Sequence, residues 1–440
     1  MADHTDIEWT DATWNPITGC RIVSPGCANC YAMALAGTRL KNHESRKGLT
    51  KQVNGNHVWT GEVRFNAQWL DQPLRWTKPR MIFVCAHGDL FAEGVPDEWL
   101  DQIFAVMASS KRHTFQILTK RPERMREYLL GIEREAPARL KHYIDVTMAP
   151  SRAARQALEP PMSEPAPPTP QLRALYDRAL PPMRLNGFRA DSRFISGVKL
   201  GEYHWRSWPL TNVWLGVSVE DQRRANERIP ILLDTPAAIR WVSAEPLLGK
   251  VDIDTIWLRR DGERVTPLSN RLGDYIRPLR GNFSDSPKLD WVVAGGESGA
   301  DARPMHPDWA RGLRDQCAAA GVPFLFKQWG EWTEAYSEYR EADGKHIEVE
   351  PDSEEGEALY NPATDRLIAL DGRLFTPETL PNNTPARLVE RVGKRRAGRL
   401  LDGVEHNAFP EIRRATPLQA DRPSRDVPRP VRSDSVRTEE

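Results

Sequence analysis

The sequence predicts an α/β fold, a partial or near-complete TIM-like (β/α) barrel, on three observations. Six short apolar runs rich in β-branched residues have the length of buried strands. Amphipathic helical patterns stand between several of them. Each run also delivers an ionisable group just beyond its carboxyl end. Strand followed by helix, repeated, requires a parallel sheet joined by right-handed crossovers. An open doubly wound sheet satisfies the same rhythm and stays as the alternative.

The elements follow in order. A run around Ile7 to Trp14 alternates less cleanly than the rest and is a seventh candidate strand. The six firm runs are Met81 to Cys85, Thr114 to Thr119, Val213 to Val219, Ile239 to Ala244, Trp291 to Gly295 and Pro323 to Lys327. A helix over Pro96 to Ser110 places Trp99, Leu100, Ile103, Phe104 and Met107 on one face, with Pro96 suited to its first turn. Asp221 to Leu233 and Pro307 to Ala320 carry the same periodicity, and Gly321 stops the latter. Two insertions interrupt the pattern, over about 131–209 and 253–288. The first holds the proline-rich run from Glu159 to Pro170, which cannot continue a helix or a central strand. The second is mixed and charged, and reads as a hairpin or loop excursion. The expected organisation is a barrel core over 1–330, a C-terminal extension over 331–410, and a disordered tail over 411–440, rich in Arg, Pro, Asp and Ser.

Composition narrows the function. Lys and Arg total 61, as do Asp and Glu, so no global charge steers the chain to nucleic acid or membrane. No segment approaches the roughly 18 apolar residues of a membrane span. The polar, acidic start from Met1 to Asp6 argues against a secretory signal. Five cysteines, an odd number with three of them clustered, point to metal chemistry in a reducing cytoplasm rather than to disulfides.

The cluster lies in Asn15-Pro16-Ile17-Thr18-Gly19-Cys20 and Cys27-Ala28-Asn29-Cys30-Tyr31-Ala32. Three thiolates with no obvious fourth ligand suit an iron–sulfur cluster with one open iron, whereas structural zinc normally takes four protein ligands. Cys85, inside an apolar strand, reads as core, and Cys317, inside a helix, as inert.

In parallel α/β folds ligands bind at the carboxyl ends of the strands. Those ends carry His87 and Asp89, Lys120 and Arg121, Glu220, Glu245, Gly295-Gly296-Glu297, and Lys327. Three carboxylates facing two lysines suit a zwitterionic ligand; the plainer reading is that they neutralise one another. Gly295 to Gly299 is either a backbone cradle for a phosphate or ribose, or a turn made necessary by close packing. His87 and Asp89 are either an acid–base pair or turn formers. Trp9, Trp14, Trp329 and Trp332 lie beside these motifs as candidates to stack on a base. Lys394, Arg395, Arg396 and Arg399 form a basic cluster, a phosphate contact or a solvated helix face.

The cysteine motif resembles the cluster loop of radical S-adenosylmethionine enzymes, in particular the spore-photolyase-like branch. Over most of the chain the closer resemblance is to a phage-associated family with the same three-cysteine motif and no settled activity. Its hallmarks stand here as Ile7 to Thr10, Thr18-Gly19-Cys20, Asp89 to Phe91, Leu118 to Pro122, Gly216 to Glu220, Glu245 to Leu247, Gly295 to Gly299, Lys327 to Gly330 and Ala397 to Gly403. The resemblance implies a barrel of the radical S-adenosylmethionine type. It makes Cys20, Cys27 and Cys30 ligands of a [4Fe–4S] cluster whose open iron chelates S-adenosylmethionine. Asp89, Lys120, Glu220, Glu245, Gly295, Gly296, Glu297 and Lys327 become the cofactor-binding candidates, with Glu220 and Asp89 preferred for the ribose hydroxyls and methionyl ammonium. The first two cysteines are separated by six residues, more than the usual motif has, and Asn29 stands where an aromatic residue is usual.

The function expected on this basis is a radical enzyme modifying a nucleic acid or nucleobase in a phage or mobile-element context, with a nucleic acid or partner protein as partners. Two alternatives remain. One is a non-catalytic zinc- or cluster-binding phage protein that binds DNA, with His87 completing a zinc site. The other is a hydrolase or nuclease using Glu220, Glu245 and Glu297 with a divalent cation.

Overall fold

The computed structural model describes residues 5–131, 209–260, 263–264, 275–283, 286–335, 338–342, 345–349 and 360–411. The proline-rich insertion and the expected disordered tail fall outside these residues.

Seven strands form one parallel sheet in strict chain order: β1 (Ala12–Trp14), β2 (Met81–Val84), β3 (Thr114–Thr119), β4 (Val213–Ser218), β5 (Ile239–Ala244), β6 (Trp291–Gly295) and β7 (Phe324–Gln328). Every neighbouring pair is parallel. Sequential order without reversal lets the sheet curl into a half-barrel, a partial β/α barrel. Helix α1 (Tyr31–Gly37) follows β1; α2 (Asp97–Ser109) joins β2 to β3; and α3, residues 122–131, follows β3. Helix α4 (Gln222–Leu233) joins β4 to β5, and α5 (Pro307–Ala320) joins β6 to β7. The 253–288 excursion holds short antiparallel pairings, Ile256–Trp257 with Tyr275–Ile276 and Arg259–Arg260 with Glu263–Arg264.

The strands match the expected runs to within a residue at each end. The Met81 run stops at Val84, because Cys85 turns into the left-handed region (φ 59°) while its amide still donates to the Trp14 carbonyl at 2.7 Å. Only the last three residues of the Ile7–Trp14 run pair as a strand.

Side chains on a strand alternate between faces, so parity separates two cores. The helix-facing core collects Ile82, Phe115, Val217, Val242 and Phe326 with the apolar faces of α2, α4 and α5. On the concave face no helix packs among the described residues. That face gathers Trp9, Phe83, Trp214, Trp241, Trp291, Val293 and Leu325 into a separate cluster. Trp9 lies at its centre, edge-on to Phe83 (4.7 Å between centroids), Trp241 (5.2 Å) and Trp291 (6.4 Å). The same parity continues upward through small residues to charged ones: Trp214, Gly216, Ser218, Glu220 on one strand and Trp241, Ser243, Glu245 on the next. The interior thus has an aromatic floor and a charged mouth.

A four-stranded antiparallel sheet completes the compact unit Met1–Phe409: β8 (Trp332–Glu334), β9 (Asp365–Ala369), β10 (Leu374–Phe375) and β11 (Ala386–Arg391), in the order β8-β11-β9-β10. The short helix α6 (Lys394–Ala397) follows it. This sheet docks on α5, whose Trp309 indole donates to the Leu370 carbonyl (2.8 Å) and whose Arg311 binds both Glu334 and Asp402. The chain then returns along the free edge of β7, where the Phe326 amide donates to the His406 carbonyl at 2.9 Å and the Ala408 amide to the Phe324 carbonyl at 3.2 Å. An open sheet edge is thereby paired.

Candidate functional site at the mouth of the half-barrel

The cysteine loop leaves β1 and crosses the mouth. Asn15 starts it by accepting the His87 amide on Oδ1 (3.0 Å), while its carbonyl accepts from Asn66 Nδ2 (3.0 Å). Cys20, Cys27 and Cys30 follow as free, partly exposed thiols. Cys30 occupies the N-cap position of α1; burial raises its pKa, and the nearby Met33 and Ala32 amides oppose that without a side-chain cap hydrogen bond.

Two buried carboxylates clamp the loop to the strand ends. Glu220, beyond β4 and with no exposed surface, accepts from the Ser24 hydroxyl at 2.6 Å. It also pairs with Arg228 of α4 (3.0 Å) and Lys120 (3.4 Å). Burial alone would raise its pKa; the Lys120 and Arg228 charges and the Ser24 hydrogen bond outweigh that and hold it below the usual range. Glu297, beyond β6, accepts from Asn29 Nδ2 (3.0 Å) and from Arg303 at Nη2 (2.6 Å) and Nε (2.8 Å). Its pKa is lowered likewise, Arg303 and Asn29 overcoming burial. Arg303 reaches on to the Pro25 carbonyl (3.0 Å). Between the clamps stands Gly26, where a Cβ would fall 2.4 Å from Glu220 Cγ, so only glycine lets the loop lie this low.

Arg121 supports the first thiol. It is held by Asp89 (3.0 Å) and Glu93 (3.1 Å), and its Nη1 lies 3.6 Å from Cys20 Sγ. Cys20 itself is pushed up to about 12, first by burial, then by the Asp89 charge, with Arg121 opposing and the other two cysteines adding repulsion.

The other predicted residues occupy the same rim with their polar atoms engaged. Asp89 accepts from Thr119 Oγ1 (2.7 Å), the Phe91 amide (3.0 Å), the Lys120 amide (3.1 Å) and Arg121. No hydrogen bond joins it to His87 among the described residues. Glu245 pairs with Lys327 at 2.9 Å and accepts from Ser243 at 3.0 Å. Glu220, Glu245 and Glu297 therefore face three separate sets of cations rather than one centre. The Gly295 carbonyl accepts from Leu247 (3.0 Å) and the Gly296 amide donates to Gln328 (2.9 Å). A Cβ at Gly296 would meet the Trp329 carbonyl at 1.8 Å, so close backbone packing explains this glycine. Trp9, Trp14, Trp329 and Trp332 are not stacking platforms: all are buried, and the last three donate indole hydrogen bonds to Trp69, Leu400 and Ala302. Cys85 and Cys317 are buried in the helix-facing core. Among the described residues no three His, Cys, Asp or Glu side chains converge on a point that would hold one metal ion.

Residues 4–410 match the profile of a family described as a protein of unknown function, DUF5131. The chain belongs to this family. The match runs from just before the tryptophan floor to the segment that returns along the free edge of β7, so the seven-stranded sheet, the four-stranded sheet and the mouth all lie within the matched residues. No curated protein and no solved structure matches the chain. Among the described residues no helix is long and apolar enough to cross a membrane.

Sequence reasoning did not single out Ser24, Arg228 or Arg303, and noted Asn29 only as a departure from the motif. Arg228 was detectable, since it lies two helical turns beyond Glu220 on the face of α4 turned to the sheet. Ser24 and Asn29 carry no local signal, because their partners lie 196 and 268 residues away.

Proposed function

We propose that the chain is an iron–sulfur protein of the radical S-adenosylmethionine type, with Cys20, Cys27 and Cys30 as ligands of a [4Fe–4S] cluster at the mouth of the half-barrel. The observation that carries this reading is the clamped loop: three free thiols and no disulfide, held over the strand ends by Glu220 and Glu297. The donor set fits. Zinc bonded to sulfur at about 2.3 Å needs its donors within about 4 Å of each other, whereas a cluster takes each thiolate on a different iron. Three cysteines close in sequence, with no fourth protein ligand among the described residues, leave one iron open, which suits a cluster rather than four-ligand zinc. When bound, cluster and S-adenosylmethionine supply a one-electron reductive cleavage of the sulfonium that initiates hydrogen abstraction.

The protein's own residues position and shield. Glu220 and Glu297 fix the loop, Arg121 donates toward Cys20 Sγ, and the tryptophan floor closes the far end of the interior against water. With the Glu220 and Asp89 oxygens committed to protein partners, Lys327, Lys120 and Glu245, each with some exposed surface, are the rim groups best placed to meet a ligand. A nucleic acid or nucleobase substrate rests on the resemblance and on the exposed Lys394-Arg395-Arg396 stretch of α6.

Anaerobic reconstitution tests the reading. About four irons and four sulfides per chain, and release of 5′-deoxyadenosine on adding dithionite and S-adenosylmethionine, are the expected results. Stoichiometric zinc without iron sinks the cluster; a loaded cluster with no release sinks the radical chemistry alone.

A further inference from the structure

The excursion between β5 and β6 carries aromatic side chains that the core does not use. Its first pairing sets Ile256 opposite Ile276 and Trp257 opposite Tyr275. Neighbouring residues on a strand point to opposite faces, so the two isoleucines enter the helix-facing core and the two aromatics are turned outward. Trp257 is 56% exposed and Tyr275 37%, with ring centroids 5.4 Å apart. The Arg277 guanidinium lies over the Tyr275 ring, 5.8 Å from its centroid. Asn282 ties the following turn to this pair: its Nδ2 donates to the Tyr275 carbonyl (2.9 Å) and its Oδ1 accepts from the Arg277 amide (2.8 Å). The next residue, Phe283, is 80% exposed. Three of the five exposed aromatic side chains among the described residues therefore stand in this one excursion.

The chemistry around the rings is cationic. Arg280 pairs with Asp254 at 3.2 Å, while Arg277 and Lys288, both exposed, form no ion pair among the described residues. Residues 253–288 hold seven Lys and Arg against five Asp and Glu, in a chain whose total is balanced, and six of the seven are Arg. Ile256, Leu258, Ile276 and Leu279 are all buried, so a protein partner would find no exposed aliphatic centre among the described residues. Exposed rings interleaved with guanidinium groups suit bases that stack and phosphates that need a counter-charge. A duplex keeps its bases stacked on each other, which leaves the single strand as the form that can use the rings.

We propose that Trp257, Tyr275 and Phe283, with Arg277 and Lys288, form a binding surface for single-stranded nucleic acid on the outer, helix-bearing side of the half-barrel. The excursion is fixed there by α4 and α5: Gln222 Nε2 donates to the Asp252 carbonyl (3.0 Å), and Gln316 Oε1 accepts from the Ile253 amide (2.7 Å). Bases stack on the rings, and Arg277 and Lys288 answer the phosphates. This names the single strand as the substrate class and rests on the proposed function for its link to chemistry at the mouth; the surface itself needs no cluster.

Fluorescence anisotropy of a labelled oligothymidylate of about 12 nucleotides, titrated with the full chain as purified and again after anaerobic reconstitution, tests it. Both preparations are expected to bind it at least tenfold tighter than a duplex of the same length. Trp257→Ala and Phe283→Ala are each expected to weaken binding about tenfold, the loss of one stacked base, with the Tm unchanged because both rings are exposed. Arg277→Gln is expected to make the log–log salt dependence shallower by about 0.7, one phosphate of a single strand. Absence of binding by the wild-type chain, equal binding of the duplex, or full binding by both ring variants overturns the proposal. So does self-association that disappears in Trp257→Ala, which would put a second copy on the patch. Should Trp257→Ala not fold, Phe283→Ala decides alone: a tenfold loss supports the surface and unchanged affinity refutes it. A chain that binds the oligonucleotide but takes up no iron fails the cluster and keeps the surface; the reverse result fails the surface alone.

Discussion

The floor and the mouth of the half-barrel are built on the same strands by opposite chemistry. At the floor, Trp214, Trp241 and Trp291 join Trp9 in a buried aromatic cluster to which, among the described residues, no helix contributes. Each ring removes on the order of 200 Å² from water, about 5 kcal/mol before entropy is counted, and edge-to-face pairs add about 1 kcal/mol. At the mouth, residues of the same parity hold buried carboxylates between cations. Such pairs roughly break even against their desolvation, so they contribute little net stability, but losing one partner strands the other. The floor therefore stabilises the sheet, and the mouth specifies where one loop lies.

That division can be broken at either end. Trp241→Ala has the largest expected effect, a loss of about 3–5 kcal/mol in global stability. It should lower the Tm while leaving iron per folded chain unchanged; loss of iron from the folded variant would show that floor and mouth are not separable. Glu220→Ala comes next, at up to about 3–5 kcal/mol, because it leaves Arg228 and Lys120 facing each other without an acid. Here the expected signature is local: Cys27 becomes reactive toward thiol reagents and iron loading falls. An unchanged labelling rate would refute the clamp.

Acid gives a milder version of the same experiment. Glu220 and Glu297 have depressed pKa values in the folded chain, so their contribution is complete above the unfolded carboxylate value of about 4.3 and is lost as pH falls through the lower folded values. Reaction of the loop thiols with 4,4′-dithiodipyridine, which works in acid, should rise below about pH 4, before tryptophan fluorescence reports any change at the floor. Simultaneous changes would argue against independent ends. The smallest effect belongs to Arg121→Gln. It removes a positive charge and a hydrogen bond near Cys20 Sγ, and should lower the midpoint potential of a reconstituted cluster. Buried Asp89 loses its cation but keeps its bonds from Thr119 and the Phe91 and Lys120 amides, so the Tm should fall by less than in Glu220→Ala.

The strands and their charged ends were legible because both are local. Thr114–Thr119, Ile239–Ala244 and Trp291–Gly295 are continuous apolar runs, and the residue after a strand is adjacent in sequence. Less was legible where the determinant is distant. The rim carboxylates read equally well as ligand groups or as a neutralising network, and only the placement of Ser24 and Asn29 shows Glu220 and Glu297 engaged with the cysteine loop. The tryptophans were read by proximity to motifs, whereas strand parity and burial decide their place. The strands β8 to β11 were read only as a C-terminal extension; their buried side chains divide between a small core of Leu367, Ala386 and Leu388 and the main core, which takes Trp332, Ile368 and Val389.

The clamp has a consequence for the order in which the molecule is made. Asn29 and Glu297 are 268 residues apart. At about 5–20 residues per second, synthesis of that interval takes roughly 15–55 s. For most of that time the three cysteines are outside the ribosome while one acid that holds their loop has yet to be translated. Trp9 likewise waits for Trp291 before the floor can close. The cysteine loop is thus clamped at both acids only after the sixth strand has been made, and until then the cysteines stay more accessible to whatever delivers or attacks them.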